Sequence, residues 1–259
     1  MLKTLLKNSS LYPVLKYIRL KLFPSQAQID DRRLVAGRVS FYRQFLLKGD
    51  LCFDVGANIG NRTEVFLEIG CKVVAVEPQV DCSQILKYRF GGKVIVIQKA
   101  LGEKQMEGTL FVSDTSEISS LSTDWINSVS KSRFINRTWT REQKVNITTL
   151  DSLIFQYGVP KFCKIDVEGY EFEVLKGLSH PIPVISFEYT IPEKVENVQQ
   201  CLERLSTIGS FECNFTIGEK MEFESDRWLS PGGLVKQLHL VSTTGLFGDI
   251  YVRFNNSQP

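Results

Sequence analysis

From Leu51 onward, the sequence alternates short apolar runs with segments of helical periodicity. This alternation is typical of a mostly parallel sheet covered on both faces, because parallel strands need crossover helices and are buried on both sides. In the segment 195–208, for example, Val198, Leu202 and Leu205 share one helical face with Val195. We therefore predict an α/β fold. The strand candidates are 51–55, 72–77, 94–99, 162–166, 184–189, 211–216 and 250–254, and the helix candidates are 63–69, 83–89, 150–157, 170–176 and 195–208.

Composition limits the domain organisation and the classes of function. A chain of 259 residues with 43% hydrophobic residues can bury the core of one large domain. We expect this domain to span residues 39–259, with an insertion at about 108–149 and a preceding extension over residues 1–38. The formal net charge of +2 is too small for a dedicated nucleic-acid binder, whose basic residues form a dense stripe. We expect no nucleic-acid partner.

The six cysteines form neither a CxxC pair nor a Cys/His group with metal-ligand spacing. Cys52 and Cys163 lie inside predicted strands. Buried, reduced thiols in a cytoplasmic protein are therefore the favoured interpretation.

The extension over residues 1–38 is basic, and we predict that it is helical. Charges interrupt every apolar stretch between Met1 and Pro24, and Pro13 divides the segment, so it has the pattern of neither a signal peptide nor a membrane span. Packing of this helix on the flank of the domain is favoured over its resting on a membrane surface.

A strand, a glycine turn and a helix follow one another from Leu51 and form the candidate binding site. The turn contains Gly56, Asn58 and Gly60. Its glycines let the backbone approach a ligand closely, and the helix beyond offers unpaired N–H groups. A dinucleotide site needs the spacing G-x-G-x-x-G to bring the helix onto a pyrophosphate, whereas this turn reads G-x-x-x-G. The spacing argues against a diphosphate ligand.

Acidic residues lie at the ends of the first two predicted strands. Asp54 would repel a phosphate but suits a cationic ligand, such as the sulfonium and amino groups of S-adenosylmethionine. Glu77 can accept hydrogen bonds from both hydroxyls of a ribose, and Pro78 turns the chain out of the sheet. The residues therefore favour a sulfonium nucleoside.

Four motifs occur in order along the chain: FDVGANIG at 53–60, VAVEP at 74–78, ALG at 100–102 and KIDVEGYE at 164–171. In this order they resemble the FkbM family of S-adenosylmethionine-dependent methyltransferases. The closing segment 248–253 is similar to the last strand of that family. The resemblance extends over roughly residues 39–254.

This resemblance implies a Rossmann-like class I methyltransferase fold, with a mostly parallel seven-stranded sheet, helices on both faces and an antiparallel last strand. It implies S-adenosyl-L-methionine as the cofactor, with Glu77 at the ribose, Gly56 beside the cofactor, and the turn formed by Lys99, Ala100 and Leu101 at the adenine edge. The predicted cofactor-binding residues are Asp54, Gly56, Asn58, Gly60, Glu77, Pro78, Ala100, Leu101 and Asp166.

Three carboxylates near the ends of later strands are the catalytic candidates. Methyl transfer is an in-line displacement, and it needs a base when the acceptor is a hydroxyl. Asp166, Glu168 and Glu188 are all expected on the cofactor side of the sheet, and Asp166 shares a strand face with Lys164. For Asp166 we favour a helix cap or a cofactor contact over a base, and for Glu168 a simple turn. No dense Asp/Asn cluster is evident, so we expect no metal.

The insertion contains two predicted extended segments, 109–113 and 145–149, which flank a polar run without strong periodicity at 114–143. A second segment, 226–241, is predicted to be irregular. We expect the insertion to lie above the active edge and to select the acceptor. Trp125 and Trp139 of the insertion could stack on an acceptor or fill a small accessory core.

The resemblance favours O-methylation of a hydroxyl on a sugar, a glycan or a secondary metabolite, with a small-molecule or glycan acceptor. Two alternatives stay open. One is a nicotinamide-dependent oxidoreductase on a similar sheet, against which the missing third glycine argues. The other is a non-catalytic binding module with a methyltransferase fold. The sequence specifies no oligomeric state.

Overall fold

A computed structural model describes residues 11–191, 195–241 and 246–255. The strands of this part of the chain form two sheets. They are β1 (Leu51–Val55), β2 (Lys72–Val76), β3 (Val94–Ile97), β4 (Ala100–Leu101), β5 (Met106–Val112), β6 (Arg141–Thr148), β7 (Phe162–Ile165), β8 (Val184–Thr190), β9 (Phe211–Phe215) and β10 (Phe247–Phe254). The helices are α1 (Tyr12–Leu22), α2 (Gln26–Tyr42), α3 (Asn61–Ile69), α4 (Val80–Phe90), α5 (Thr123–Val129), α6 (Leu150–Tyr157), α7 (Glu171–Lys176), α8 (Val195–Ser206) and α9 (Pro231–Val241).

The main sheet has seven strands in the order β3-β2-β1-β7-β8-β10-β9. Strand β10 runs antiparallel to both of its neighbours, and the other strands share one direction. The order reverses between β1 and β7, and ligands of open α/β sheets bind at such a point, outside the carboxyl ends of the strands. The predicted α/β fold, with seven strands and an antiparallel last strand, is confirmed.

Apolar side chains cover both faces of the main sheet. On one face, Phe53 and Ile165 pack in a cluster with α6, α7, α8 and α9. On the other face, Cys52 and Val73 pack with residues of α2 and α3. Successive side chains of a strand point to opposite faces, so the neighbours Cys52 and Phe53 belong to different clusters. All six cysteines are buried free thiols, as predicted.

The prediction of an irregular segment at 226–241 is wrong, because α9 occupies its second half. Pro231 begins the helix, a position at which its missing N–H leaves no hydrogen bond unmade. The hydroxyl of Ser230 accepts a hydrogen bond from the backbone N–H of Gly233 at 3.2 Å, and Leu234 is buried in the core. Gly232 and Gly233 lie in the first turn of this helix, where they interrupt the apolar periodicity by which a helix is predicted from sequence.

The two extended segments predicted in the insertion at 108–149 overlap strands β5 and β6. Strands β5 and β6 pair antiparallel over their lengths, and the short β4 adds to β6 in parallel. The second sheet therefore has the order β4-β6-β5, with α5 in the connection between β5 and β6.

Two helices belong to the predicted extension. Helix α1 contacts α4, and the guanidinium of Arg89 lies over the ring of Tyr17 at 5.3 Å. Helix α2 continues to Tyr42, so the predicted boundary at position 38 falls inside a helix. Residues 1–10 of the predicted extension lie outside the described part of the chain. No helix among the described residues is both long enough and apolar enough to cross a membrane.

An aromatic cluster joins the end of α2 to the main sheet. Tyr42 and Phe45 pack on Phe162 of β7, with ring centroids 5.4 and 5.7 Å apart. Tyr251 of β10 stacks on Phe45 at 5.9 Å. Aromatic pairs of this kind stabilise beyond the area that they bury. The end of α2 is therefore part of the core of the main domain.

We expect Phe162→Ala to lower the free energy of unfolding by about 3 to 5 kcal/mol, because it removes a fully buried ring and leaves a cavity. Denaturant titration followed by tryptophan fluorescence measures the change. Phe155→Ala is the control, since that ring is 95% exposed. Equal effects of the two substitutions would contradict the packing described here.

Candidate functional site

A cavity of about 260 Å³ lies at the carboxyl ends of β1, β2, β7 and β8. Its wall includes all but one of the residues predicted to bind a cofactor or to carry out chemistry. The exception is Gly60, which packs away from the cavity: a Cβ at this position would lie 2.4 Å from the ring of Phe90. The predicted residues in the wall are Asp54, Gly56, Asn58, Glu77, Pro78, Ala100, Leu101, Asp166, Glu168 and Glu188.

The glycine turn after β1 is packed tightly against the end of β7. Gly56 has a φ of +80°, and a Cβ there would lie 1.7 Å from the backbone oxygen of Asp166. Asn58 also has a positive φ, of 46°, a conformation that asparagine tolerates better than most residues. The turn therefore needs a residue without a side chain at position 56, and it leaves its backbone facing the cavity.

The carboxylate of Glu77 is held in place by the backbone on both sides. One oxygen accepts a hydrogen bond from the N–H of Asn58 at 2.8 Å, and the other accepts one from the N–H of Gln79 at 2.8 Å. Burial raises the pKa of Glu77, and these two bonds oppose it, with a result of about 7. Each oxygen keeps a further lone pair, so the carboxylate can still accept hydroxyl groups from a ligand.

The side chain of Asp54 links the end of β1 to the start of α3. Its carboxylate accepts a hydrogen bond from the hydroxyl of Thr63, in the first turn of α3, at 2.5 Å. Burial raises the pKa of Asp54. The residue lines the cavity as expected, but part of its hydrogen-bonding capacity serves the link between β1 and α3.

Asp166 does not cap α7, as one interpretation of the sequence suggested. Its carboxylate accepts a hydrogen bond from the ammonium of Lys164 at 2.6 Å instead, in agreement with the predicted shared strand face. No side chain caps this helix at its N-cap residue, Tyr170. The carboxylate of Glu171 accepts from the N–H groups of Val167 and Gly169, in the turn before the helix, at 3.2 and 3.1 Å. Asp166 is thus left at the cavity wall with a cation beside it.

Asp166, Glu168 and Glu188 form a carboxylate cluster, in which one oxygen of each lies within 4.8 Å of the others. Burial raises the pKa of Glu168 and of Glu188, and repulsion among the carboxylates raises both further. The expected placement of all three on one side of the sheet is consistent with this cluster, but the expectation that no dense acidic group forms is wrong. The three oxygens could hold a metal ion or share a proton; independence of a metal stays a prediction.

Lys164 is the cation that balances this cluster. Its ammonium lies 2.6 Å from Asp166 and 3.8 Å from Asp249 of β10. Burial alone would lower the pKa of Lys164, but the two carboxylates raise it above its usual range. Lys164 therefore stays charged and neutralises Asp166 more than Glu168 or Glu188.

Three further residues of the cavity wall had no signal in the sequence. Glu219 binds Arg38 of α2 at 3.0 Å and Arg62 of α3 at 2.5 Å. Burial alone would raise the pKa of Glu219, but the two guanidinium groups lower it to about 2. Glu219 lies in a loop more than 150 positions from either arginine, so spacing could not reveal the group.

The insertion covers one side of the cavity through polar contacts. Gln79 donates a side-chain hydrogen bond to the backbone oxygen of Ser116 at 2.9 Å and accepts one from the hydroxyl of Ser119 at 3.2 Å. The hydroxyl of Ser120 donates to the backbone oxygen of Glu168 at 2.6 Å. The insertion is thereby attached both beside Glu77 and beside the carboxylate cluster.

The two tryptophans of the insertion fill an accessory core. Trp125 is 1% exposed and packs with Trp139 and Phe134 in a cluster of its own. The indole N–H of Trp139 donates to the backbone oxygen of Ile118 at 2.7 Å. Neither ring lines the cavity, so the accessory-core interpretation is the correct one.

The strand order, the glycine turn after β1 and the acidic residue after β2 define a Rossmann-like methyltransferase fold. Residues 54–224 match the family described as the methyltransferase FkbM domain. This match covers more than half of the chain, and the protein belongs to that family.

Other comparisons concern individual proteins. No curated protein matches the chain. Similar solved structures include precorrin-6y C5,15-methyltransferase from Geobacter metallireducens, with 10% identity, 86% of this chain and 88% of the other covered, and a TM-score of 0.43. Another is a TehB-like SAM-dependent methyltransferase from Corynebacterium glutamicum, with 8% identity, coverage of 95% and 98%, and a TM-score of 0.45.

We expect Gly56→Ala to destabilise the fold by at least about 2 kcal/mol, because alanine disfavours the positive φ and its Cβ meets the Asp166 backbone. Thermal unfolding measures the loss. Gly37→Ala is the matched control, since no atom lies within 4 Å of the added carbon. A Gly56→Ala protein as stable as the Gly37→Ala protein would show that the turn is looser than described.

Proposed function

We propose that this FkbM-family protein is an S-adenosylmethionine-dependent methyltransferase that methylates a hydroxyl oxygen of a small-molecule or glycan acceptor. The observation that carries the proposal is the buried carboxylate of Glu77, fixed beside the glycine turn of a methyltransferase-family cavity. A fixed carboxylate next to close-approaching backbone suits a ribose and its attached nucleoside.

The residues of the cavity fit this cofactor. Glu77 would accept the two ribose hydroxyls, and Ala100 and Leu101 would border the adenine. Gly56 lines the cavity, so its backbone would lie against the cofactor. Bound S-adenosylmethionine would supply an electrophilic methyl carbon on a sulfonium.

Glu168 and Glu188 are the proposed site of proton transfer. Lys164 neutralises Asp166. The pKa values of the other two carboxyl groups are raised, because both are buried and are repelled by neighbouring carboxylates. A carboxylate with a raised pKa is a better base near neutral pH. One of these carboxylates would take the proton that the acceptor hydroxyl loses on methylation, with the methyl group supplied by bound S-adenosylmethionine.

We also propose a chemical class for the acceptor and a cellular location for the enzyme. The acidic character of the cavity near Glu168 and Glu188 supports a neutral, hydroxyl-bearing acceptor, such as a sugar or a secondary metabolite, over a nucleic acid, whose phosphates these carboxylates would repel. We propose that the enzyme acts in the cytoplasm, consistent with its six free thiols. The glycine turn has G-x-x-x-G spacing, not the G-x-G-x-x-G spacing of a dinucleotide site. This spacing argues against the alternative of a nicotinamide-dependent oxidoreductase.

We expect Glu77→Ala to weaken binding of S-adenosylhomocysteine by about 1.5 to 3 kcal/mol, because it removes charge-assisted hydrogen bonds to the ribose. Isothermal titration calorimetry measures the affinity. Glu68→Ala is the control, since Glu68 is exposed on α3 and should leave the affinity unchanged. Undiminished affinity in Glu77→Ala would overturn the ribose assignment.

We expect Glu188→Gln and Glu168→Gln to bind S-adenosylhomocysteine normally, and at least one of them to transfer methyl groups about 10²- to 10⁴-fold more slowly, because a base is lost. Transfer of label from S-adenosylmethionine to host lysate fractions, with mass spectrometry of the product, measures the rate. Glu142→Gln, at an exposed position of β6, is the control. Full rates in both cavity variants would exclude these carboxylates as the base, and binding without any transfer by the unmodified protein would favour a non-catalytic module.

A further inference from the structure

Helix α1 presents an apolar strip with cations on both sides. With about 3.6 residues per turn, Leu15, Ile18 and Leu22 fall on one side of the helix, in line with Leu11 just before it. Arg19 lies along one edge of this strip and Lys21 along the other, and Lys16 lies beyond Arg19, farther round the helix. The arrangement separates apolar and basic residues along the length of the helix.

Most of this strip lies away from the face with which α1 packs on the domain. Ile18 is half-buried and, like Leu22, borders a groove shared with Tyr88 and Phe90 of α4. Pro13 is buried and Tyr17 is covered by Arg89 of α4, so these residues form the inner face. Leu11, Leu15 and Leu22 are 64, 50 and 68% exposed, and Phe23, which follows the helix, is 76% exposed. Large apolar side chains that cluster in solvent mark an interaction surface.

The charge of the same segment identifies the chemistry of the partner. Lys16, Arg19 and Lys21 are all exposed, and the sequence contains no acidic residue before Asp30. An anionic surface with an apolar layer just beneath it would match both the cations and the leucines. Anionic lipid headgroups above acyl chains have this composition.

We propose that α1 binds in the plane of a membrane surface that contains anionic lipid. The exposed leucines and Phe23 enter the boundary between headgroups and acyl chains, while Lys16, Arg19 and Lys21 contact the phosphates. Tyr17 and Pro13 stay packed on the domain, so the helix does not have to detach from α4. The binding is peripheral, since α1 has only 11 residues, too few to span a bilayer.

Co-sedimentation of the full chain with vesicles tests this surface. The protein should pellet with vesicles of phosphatidylcholine mixed with phosphatidylglycerol, bind far less to phosphatidylcholine alone, and dissociate as salt is raised. Leu15→Glu combined with Leu22→Glu should lower the partition coefficient at least roughly tenfold, because two apolar anchors are lost. Lys16→Glu combined with Arg19→Glu should lower it by a similar factor, roughly tenfold or more.

Matched controls use the same substitutions elsewhere on the surface. Phe155→Glu changes another fully exposed apolar residue, and Lys104→Glu combined with Lys236→Glu removes two exposed cations outside α1. Both should bind vesicles as the unmodified chain does. All variants should keep the unfolding temperature of the unmodified chain, because every changed side chain is solvent-exposed.

Three results would overturn the proposal. The first is failure of the unmodified chain to pellet with the mixed vesicles. The second is an equal loss of binding in the control variants, which would indicate general electrostatic adsorption. The third is a dimer in sedimentation velocity that Leu15→Glu with Leu22→Glu disrupts, in the absence of vesicle binding, which would make a second copy of the chain the occupant of this face.

Discussion

The site depends on the close contact between the glycine turn after β1 and the end of β7. Gly56 lies so near the backbone of Asp166 that no side chain fits between them. The contact brings two functional groups to one cavity: Glu77, which Asn58 of the same turn fixes by its N–H, and the carboxylate cluster that begins at Asp166. Sheet topology makes the contact possible, because β1 and β7 are adjacent and parallel.

Charge is distributed unevenly around this cavity. Lys164 is bound between Asp166 and Asp249, and Glu219 is bound between two arginines. These charges are compensated, whereas no ion pair joins Glu168 or Glu188 to a cation in the described part of the chain, and the pKa values of both carboxyl groups are raised. Arg38 comes from α2, whose end is also anchored in the core by Phe162. A segment that the sequence placed largely outside the domain therefore contributes to the cavity wall.

The sequence predicted those parts of the structure that are governed by local patterns. The strands of the main sheet, the glycine turn and the acidic residue after β2 follow from short-range hydrophobicity and turn chemistry. Two features escaped because they depend on tertiary contacts. The Arg38–Glu219–Arg62 group joins distant segments, and α9 begins with residues that usually break helices. The three carboxylates were predicted on one side of the sheet, but their close approach depends on β7 and β8 lying side by side. The position of Gly60 outside the cavity depends on how α4 packs, which spacing does not encode.

We propose that Glu77 and the turn at Gly56 together bind a sulfonium nucleoside. A crystal structure of the protein with S-adenosylhomocysteine tests it most directly. We expect both ribose hydroxyls within hydrogen-bond distance of the Glu77 carboxylate and the adenine beside Ala100 and Leu101. A nucleoside bound elsewhere, or a ribose turned away from Glu77, would contradict it.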